Sequence, residues 1–245
     1  MTEAKKTGII TGCNERQEWM LKLWWNYYSQ TNTYPVAFMD FGMTKSARLW
    51  CESKGEVISV SLPQGIPVPK EQVELRLQKE WEFDYEDVWN ARKGWFYKPF
   101  ALLQSPFEKT FWIDIDTFII KPLTPLFETN LETLALVLEV KRVLDPTKLL
   151  PGETIYNTSV LGYTKNDPLI EKWAQKTKEW NGQFLGDQDI LSRIIYEDKT
   201  PVTPLPSYFN VRPQDGIPPE TFIIHFGNIA KKELFQKIYQ PLELS

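Results

Sequence analysis

Short apolar runs alternate with amphipathic stretches along the first part of the chain. Thr7 to Gly12 (TGIITG) reads as a strand closing on a glycine turn. Glu15 to Gln30 places Met20, Leu23, Trp24 and Tyr27 at helical spacing, which predicts a helix with one apolar face. Tyr34 to Gly42 (YPVAFMDFG) predicts a second strand, Thr44 to Lys54 a second helix, and Glu56 to Leu62 a third strand. Alternation of this kind predicts an α/β domain with a mostly parallel central sheet flanked by helices.

Pro63, Pro67 and Pro69 mark a loop, and Glu71 to Glu82 reads as a helix. Glu80 to Trp89 (EWEFDYEDVW) is both acidic and aromatic, a pattern that fits a solvated helix face or a lid. Trp95 to Gln104 predicts a helix with Pro99 in its first turn. Lys109 to Pro122, Leu134 to Val140, Tyr156 to Tyr163 and Thr221 to Gly227 read as strands. Asp167 to Trp180, Asp187 to Tyr196 and Lys231 to Tyr239 read as helices. Pro201, Pro204, Pro206, Pro213, Pro218 and Pro219 fill an irregular stretch before the last strand. No repeat, low-complexity segment or linker divides residues 1–245, so one domain is expected.

Composition narrows the class. Hydrophobic residues make up 42% and charged residues 24% of the 245, as in an ordinary globular protein. A net charge of -4 argues against a dedicated nucleic-acid binder, which is usually basic. The two cysteines, Cys13 and Cys51, have neither metal-cage nor disulfide-framework spacing, which fits a reducing compartment. The N-terminus has no secretory pattern and no run is long enough to span a membrane, so a cytoplasmic protein is expected.

One stretch stands out. KTFWIDIDTFIIKP, Lys109 to Pro122, puts Asp114 and Asp116 into an apolar, β-branched run. Alternate strand residues share a face, so two carboxylates come close and repel each other. Burying either is costly without a partner, and something positive should sit between them. Ligands of open α/β sheets bind at the carboxyl ends of the strands. Two carboxylates there are suited to a hard divalent cation, Mg²⁺ or Mn²⁺; two aspartates simply ending a strand are the plainer alternative.

His225, the only histidine, ends a second apolar strand and precedes Gly227 and Lys231. Taken alone it is a packed, hydrogen-bonded histidine; beside an aspartate pair it is a third ligand that suits Mn²⁺ better than Mg²⁺. Lys231 beyond the glycine turn is placed to meet a diphosphate as a point charge. Asn157 opens the strand YNTSVLGY, and Asp187 and Gln188 open a helix after Gly186. A helix N-cap is the plain reading of Asp187.

These motifs, in this order, resemble the GT-A-fold glycosyltransferases, most closely glycosyltransferase family 8, which includes the glycogenins and bacterial lipooligosaccharide galactosyltransferases. The resemblance runs from Thr7 to Lys231. ITGCN is similar to the loop that holds the nucleotide base, which implicates Thr11 and Asn14. YKPFALLQSPFEKTFWIDIDTFIIKPLTPLF resembles the segment that carries a lysine and then the Asp-x-Asp motif. By that match Lys98 contacts the nucleotide sugar, and Asp114 and Asp116 bind the metal. YNTSVLGY makes Asn157 a donor-sugar contact, and GDQDIL sets Asp187 and Gln188 beside the reacting sugar. HFGNIAKK makes His225 the third metal ligand, with Gly227 and Lys231 at the diphosphate. The family has its glycine where Asn228 stands here.

The resemblance implies one GT-A domain, with a nucleotide-binding half over about 1–120 and a donor-sugar and acceptor half over about 121–245. It implies Mn²⁺ or Mg²⁺, a nucleotide-sugar donor (UDP-linked), transfer of a hexose with retention, and an acceptor that is a glycan, lipid, protein or small molecule. Two rival readings stand beside it. FWIDIDTFI also resembles the first motif of the HAD-type phosphatases, with Asp114 as nucleophile and Asp116 as acid/base; Phe118 then stands where that motif has threonine. The other rival is a non-catalytic sugar-nucleotide or glycan-binding protein on the same fold.

Overall fold

The structure, a computed structural model, describes residues 5–139 and 149–227. Seven strands form one sheet in the order β3-β2-β1-β4-β7-β6-β8. They are β1 (Lys5–Cys13), β2 (Val36–Asp40), β3 (Glu56–Ser59), β4 (Phe107–Ile113), β6 (Ala135–Leu138), β7 (Tyr156–Thr164) and β8 (Thr203–Leu205). β1 pairs in parallel with β2 and β4, and β2 with β3. β7 runs antiparallel to both β4 and β6, and β8 returns parallel to β6. The sheet is therefore mostly parallel, with β7 the reversed strand.

Both faces of the sheet are covered, which is why its strands read as nearly continuous apolar runs. Neighbouring residues go to opposite sides. Ile9, Phe38, Phe111 and Ile113 join one core with Leu23, Trp24 and Tyr28 of α1 (Leu21–Thr31) and Cys51 of α2 (Lys45–Glu52). Ile10, Met39 and Trp112 join the other core with α4 (Val88–Leu102), α6 (Pro168–Trp180) and α7 (Asp187–Asp198). Gly162 of β7 sits opposite Phe111 of β4. A Cβ there would lie 2.4 Å from that ring, so glycine is what lets the ring cover the strand.

A second, two-stranded sheet pairs β5 (Thr117–Ile119) antiparallel with β9 (Ile223–His225). The single strand expected over Lys109 to Pro122 is thus two strands in two sheets, joined through Asp114, Ile115 and Asp116. The Thr117 hydroxyl donates to the Asp114 carbonyl (2.8 Å), closing the turn that redirects the chain.

Other expectations shift in detail. The helix expected from Glu15 begins as a 3₁₀ turn at Glu18–Met20 before α1. Thr44 caps α2 by accepting from the Ala47 N–H (3.3 Å). Pro99 lies inside α4, not in a first turn, because the acidic-aromatic segment supplies the helix start at Val88. The proline cannot donate to the Trp95 carbonyl, so α4 gives up that bond. Glu80 to Trp89 closes α3 (Leu75–Asp84) and opens α4, with Trp81 and Val88 buried in a small core of their own. β8 was unexpected in a proline-rich stretch; as an edge strand it tolerates Pro204. Residues 231–239, the expected last helix, lie outside the described residues.

Candidate functional site

The strand order reverses between β1 and β4, and β4 ends at Ile113. Asp114 and Asp116 therefore stand at the carboxyl end of the sheet, beside its switch point, where this architecture holds ligands. Two local pairings build the rest. The Asp114 N–H donates to the Ser159 carbonyl (2.8 Å), continuing the β4–β7 ladder and bringing Asn157, Thr158 and Ser159 alongside. The β5–β9 register sets Thr117 opposite His225, and the Phe226 N–H donates to the Asp116 carbonyl (3.1 Å).

That register brings the histidine to the carboxylates despite the long stretch of chain between them. His225 Nε2 lies 3.7 Å from Asp116 Oδ2. One ligand atom from each of Asp114, Asp116 and His225 lies within 4.8 Å of the others. Asp116 and His225 are buried, and Asp114 is half-buried. The Ser159 hydroxyl lies 2.9 and 3.1 Å from the two ring nitrogens of His225, and donates to Asn157 Oδ1 (2.6 Å).

Asp114 meets a positive charge on Lys98, which it shares with Asp187 and not with Asp116. The Lys98 ammonium is buried, 3.1 Å from Asp114 Oδ1 and 3.4 Å from Asp187 Oδ2. It also donates to the carbonyl and hydroxyl oxygens of Thr158 (3.2 Å each). The Thr158 hydroxyl donates to Asp187 (2.9 Å), and the Trp112 indole N–H donates to Asp114 (2.5 Å). Burial alone would push the lysine's pKa down, but Asp114 and Asp187 outweigh it and hold the ammonium above its ordinary value. Burial pushes the Asp187 carboxyl up, with Lys98 and Thr158 pulling the other way.

Asp187 is the first residue of α7, not its N-cap, which is Gly186. Asp189 reaches back instead and accepts from the Gly186 N–H (3.1 Å). The loop ahead of it is pinned by Arg92 of α4. That guanidinium is fully buried, stacked 4.2 Å from the Trp81 ring centroid, and donates to the carbonyls of Asn181, Phe184 and Leu185. Burial pulls its pKa down to about 9, which still leaves it charged at neutral pH.

A cleft at this point is lined by Lys98, Asp114, Asp116, Asn157, Asp187, Gln188, His225 and Gly227, all singled out by the sequence. The amide of Asn157 is engaged on both sides, donating to Glu139 (2.7 Å) and accepting from Ser159. Thr11 and Asn14 are not part of the lining. Thr11 is fully buried with its hydroxyl unpaired, and Asn14 accepts from the Arg16 N–H (3.0 Å). Lys231 lies outside the described residues. The sequence reading passed over Thr158, Ser159, Glu139 and Arg212, which ties down Glu139 (2.6 Å). The available signal was a polar pair, Thr158 and Ser159, inside an otherwise apolar strand.

Solved structures share this architecture. The galactosyltransferase LgtC, in complex with donor and acceptor sugar analogs, superposes with a TM-score of 0.60 at 16% identity, covering 91% of this chain and 88% of that one. The fold is GT-A. The glycosyltransferase GlyE of Streptococcus pneumoniae TIGR4 shares it with a TM-score of 0.61 at 14% identity, over 99% of this chain and 61% of that one. Mouse xyloside xylosyltransferase 1 shares it with a TM-score of 0.54 at 14% identity, over 91% and 97%. No protein-family model matches the sequence, and comparison with curated sequences gives no match. Within the GT-A fold, the sequence expectation of a mostly parallel sheet flanked by helices is met. Among the described residues no helix is long and apolar enough to cross a membrane.

Proposed function

We propose that this chain is a metal-dependent glycosyltransferase that moves a hexose from a UDP-sugar to an acceptor hydroxyl with retention. The observation that carries this is the meeting of Asp114, Asp116 and His225 at the carboxyl end of a GT-A sheet, next to the buried Lys98–Asp187 pair. The neighbours that share the fold include a galactosyltransferase and a xylosyltransferase, which supports sugar transfer as the reaction.

Asp114, Asp116 and His225 fit a divalent ion by their chemistry: two hard carboxylate oxygens and one imidazole nitrogen, which suits Mn²⁺ better than Mg²⁺. Bound there, the ion would supply a Lewis acid for the departing diphosphate. The chain's own groups do the rest. Lys98 holds Asp114 and Asp187 in fixed positions, so the carboxylates need not reorganise when substrate enters. Asp187 and Gln188 face the donor sugar, Asn157 borders it, and Gly227 and Lys231 attend the diphosphate. Thr11, in β1, and Asn14, just after its end, are the residues expected at the base.

Calorimetric titration of UDP with and without Mn²⁺ tests the reading. Mn²⁺ should strengthen nucleotide binding, and a panel of nucleotide sugars should reveal slow metal-dependent release of UDP. Lys231→Ala should weaken UDP binding by about tenfold, as loss of one charged phosphate contact does. UDP binding that ignores metal, together with phosphate release from phosphomonoesters, would replace the transferase by the phosphatase. Against that rival, Phe118 stands where its motif has threonine, and it leaves His225, which meets both aspartates, without a role.

A further inference from the structure

The lining of the cleft falls into two chemical groups. The charged group is the one described above. The other is aromatic: Tyr85, at the end of α3, and Trp95, in α4. The two rings meet edge to face with centroids 5.5 Å apart. Trp95 also lies against Gly186: a Cβ built on that glycine would be 3.6 Å from the indole ring. The residue after Gly186 is Asp187, so the indole adjoins the expected seat of the reacting sugar.

Both rings are partly exposed, and among the described residues neither the Tyr85 hydroxyl nor the Trp95 indole N–H has a partner. The cleft thus offers apolar ring faces beside unpaired polar tips. A pyranose has the complementary character, with C–H groups on its faces and hydroxyls around its rim. The negative face of an aromatic ring attracts such C–H groups, and an amphipathic ring serves where one side is apolar and the other wet. Charge narrows the choice further. The basic side chains of the lining, Lys98 and Arg212, are already paired, the first with Asp114 and Asp187 and the second with Glu139, which disfavours an anionic ligand at the rings. A nucleobase would stack as well, but the expected base loop at Asn14 lies outside this cleft.

We infer that Tyr85 and Trp95 form the acceptor subsite, and that the acceptor is a neutral glycoside whose terminal sugar stacks on Trp95. This rests on the transferase reading above. In the net reaction the acceptor hydroxyl oxygen bonds to the donor's anomeric carbon as that carbon's bond to the diphosphate oxygen breaks. The nucleoside diphosphate leaves with the electron pair and takes up the hydroxyl proton. Trp95 and Tyr85 contribute position: they hold the sugar plane so that one hydroxyl faces the donor beside Gln188.

The test uses the full chain with Mn²⁺, a UDP-sugar that it consumes, and neutral p-nitrophenyl glycosides set beside an unglycosylated serine- and tyrosine-containing peptide. Transfer to at least one glycoside is expected. Its KM should rise about tenfold in Trp95→Ala, the worth of one aromatic contact, and fall back most of the way in Trp95→Phe. Saturation-transfer NMR of the same glycoside with the wild-type protein should label the C–H protons of one sugar face, a result that does not depend on any variant folding. Transfer to the peptide and to no glycoside overturns the inference. So does an unchanged glycoside KM in a folded Trp95→Ala protein, or a loss of UDP affinity in its place. If Mn²⁺ fails to strengthen UDP binding in the wild-type protein, the transferase reading falls first and the subsite falls with it.

Discussion

Asp114 and Asp187 meet a lysine; Asp116 meets a histidine. Around Lys98 the site is complete in the protein alone, with an ammonium between two carboxylates and Thr158 bonded to the ammonium and to Asp187. Around His225 the neighbours are an imidazole, a hydroxyl and the Asp116 carboxylate, all groups that can also serve a cation. The first arrangement is a buried ion pair whose geometry is set before any substrate arrives. The second is a set of ligand types brought together by strand register. The difference teaches that two aspartates two residues apart in one turn have different duties. Asp114 is shared between the internal lysine and the candidate metal centre, whereas Asp116 and His225 belong to the centre.

Removing Lys98 should break the comparison most severely. Lys98→Met leaves Asp187 buried and Asp114 half-buried without their cation, and loss of one partner of a buried pair costs about 3–5 kcal/mol. Urea denaturation reads this directly, and the double variant Lys98→Met/Asp187→Asn should recover part of the loss. The contribution also has a pH signature. The folded ammonium has a raised pKa, so its stabilisation is fully present below the ordinary value of 10.5 and is lost as pH rises through the raised one. A midpoint that is unmoved by Lys98→Met would mean the charges are compensated elsewhere.

Asp116→Asn should leave the fold intact and strike function instead. An amide has almost the carboxylate's shape but no charge, so it binds Mn²⁺ poorly. Transfer should fall on the order of a hundredfold or more, the scale set by losing one electrostatic group at a reacting centre. Mn²⁺ should no longer strengthen UDP binding in the calorimeter. If it still does, Asp114 and His225 suffice and Asp116 is not a ligand.

How much of this was legible in the sequence follows from how local each feature is. Strands β1, β2, β4 and β7 announce themselves by apolar, β-branched runs, and α1 and α6 by their spacing. Asp114, Asp116 and His225 were legible because each is a ligand-type residue closing an apolar run. Lys98 was named by motif, but its pairing with Asp114 and Asp187 was not legible, because Lys98 lies on one helix and Asp187 on another. Nothing local says that these ends meet. The β5–β9 register, the reversal of β7 and the position of Pro99 deep in α4 are likewise products of packing. Thr11, matched by motif, has its side chain buried in β1, which no local pattern announces.

Arg92 sharpens the comparison from outside the site. Its hydrogen bonds go to backbone carbonyls and to none of Lys98, Asp114, Asp116 or Asp187, yet it ties down the loop from which Gly186 and Asp187 emerge. Lysine keeps the charge but lacks the planar fork that reaches three carbonyls at once. Arg92→Lys should therefore cost about 2 kcal/mol in urea denaturation, the range for hydrogen bonds to a charged group. Turnover should fall with it, because Asp187 loses its fixed approach to Lys98, while Mn²⁺-dependent UDP binding through Asp114, Asp116 and His225 should hold. Equal losses in both would show that the two halves of the site are not separable.

The smallest effect is expected two residues past Asp187. Asp187 and Asp189 stand in one motif, GDQD, yet they do different work: Asp187 is sealed against Lys98, and Asp189 caps its own helix by accepting from the Gly186 N–H. A cap of this kind is worth about 1 kcal/mol, and an amide oxygen accepts the bond as a carboxylate does. Asp189→Ala should therefore lower stability by about 1 kcal/mol, while Asp189→Asn should change it by a few tenths at most. Asp187→Asn provides the contrast. Its carboxyl is pushed up by burial and carries half of the lysine's partnership, so the same chemical change should alter both stability and turnover. Thermal denaturation of the three variants under one buffer decides the matter. If Asp189→Asn proves as costly as Asp189→Ala, the charge at 189 matters in its own right, and the separation of the motif into one capping and one charge-pairing aspartate fails.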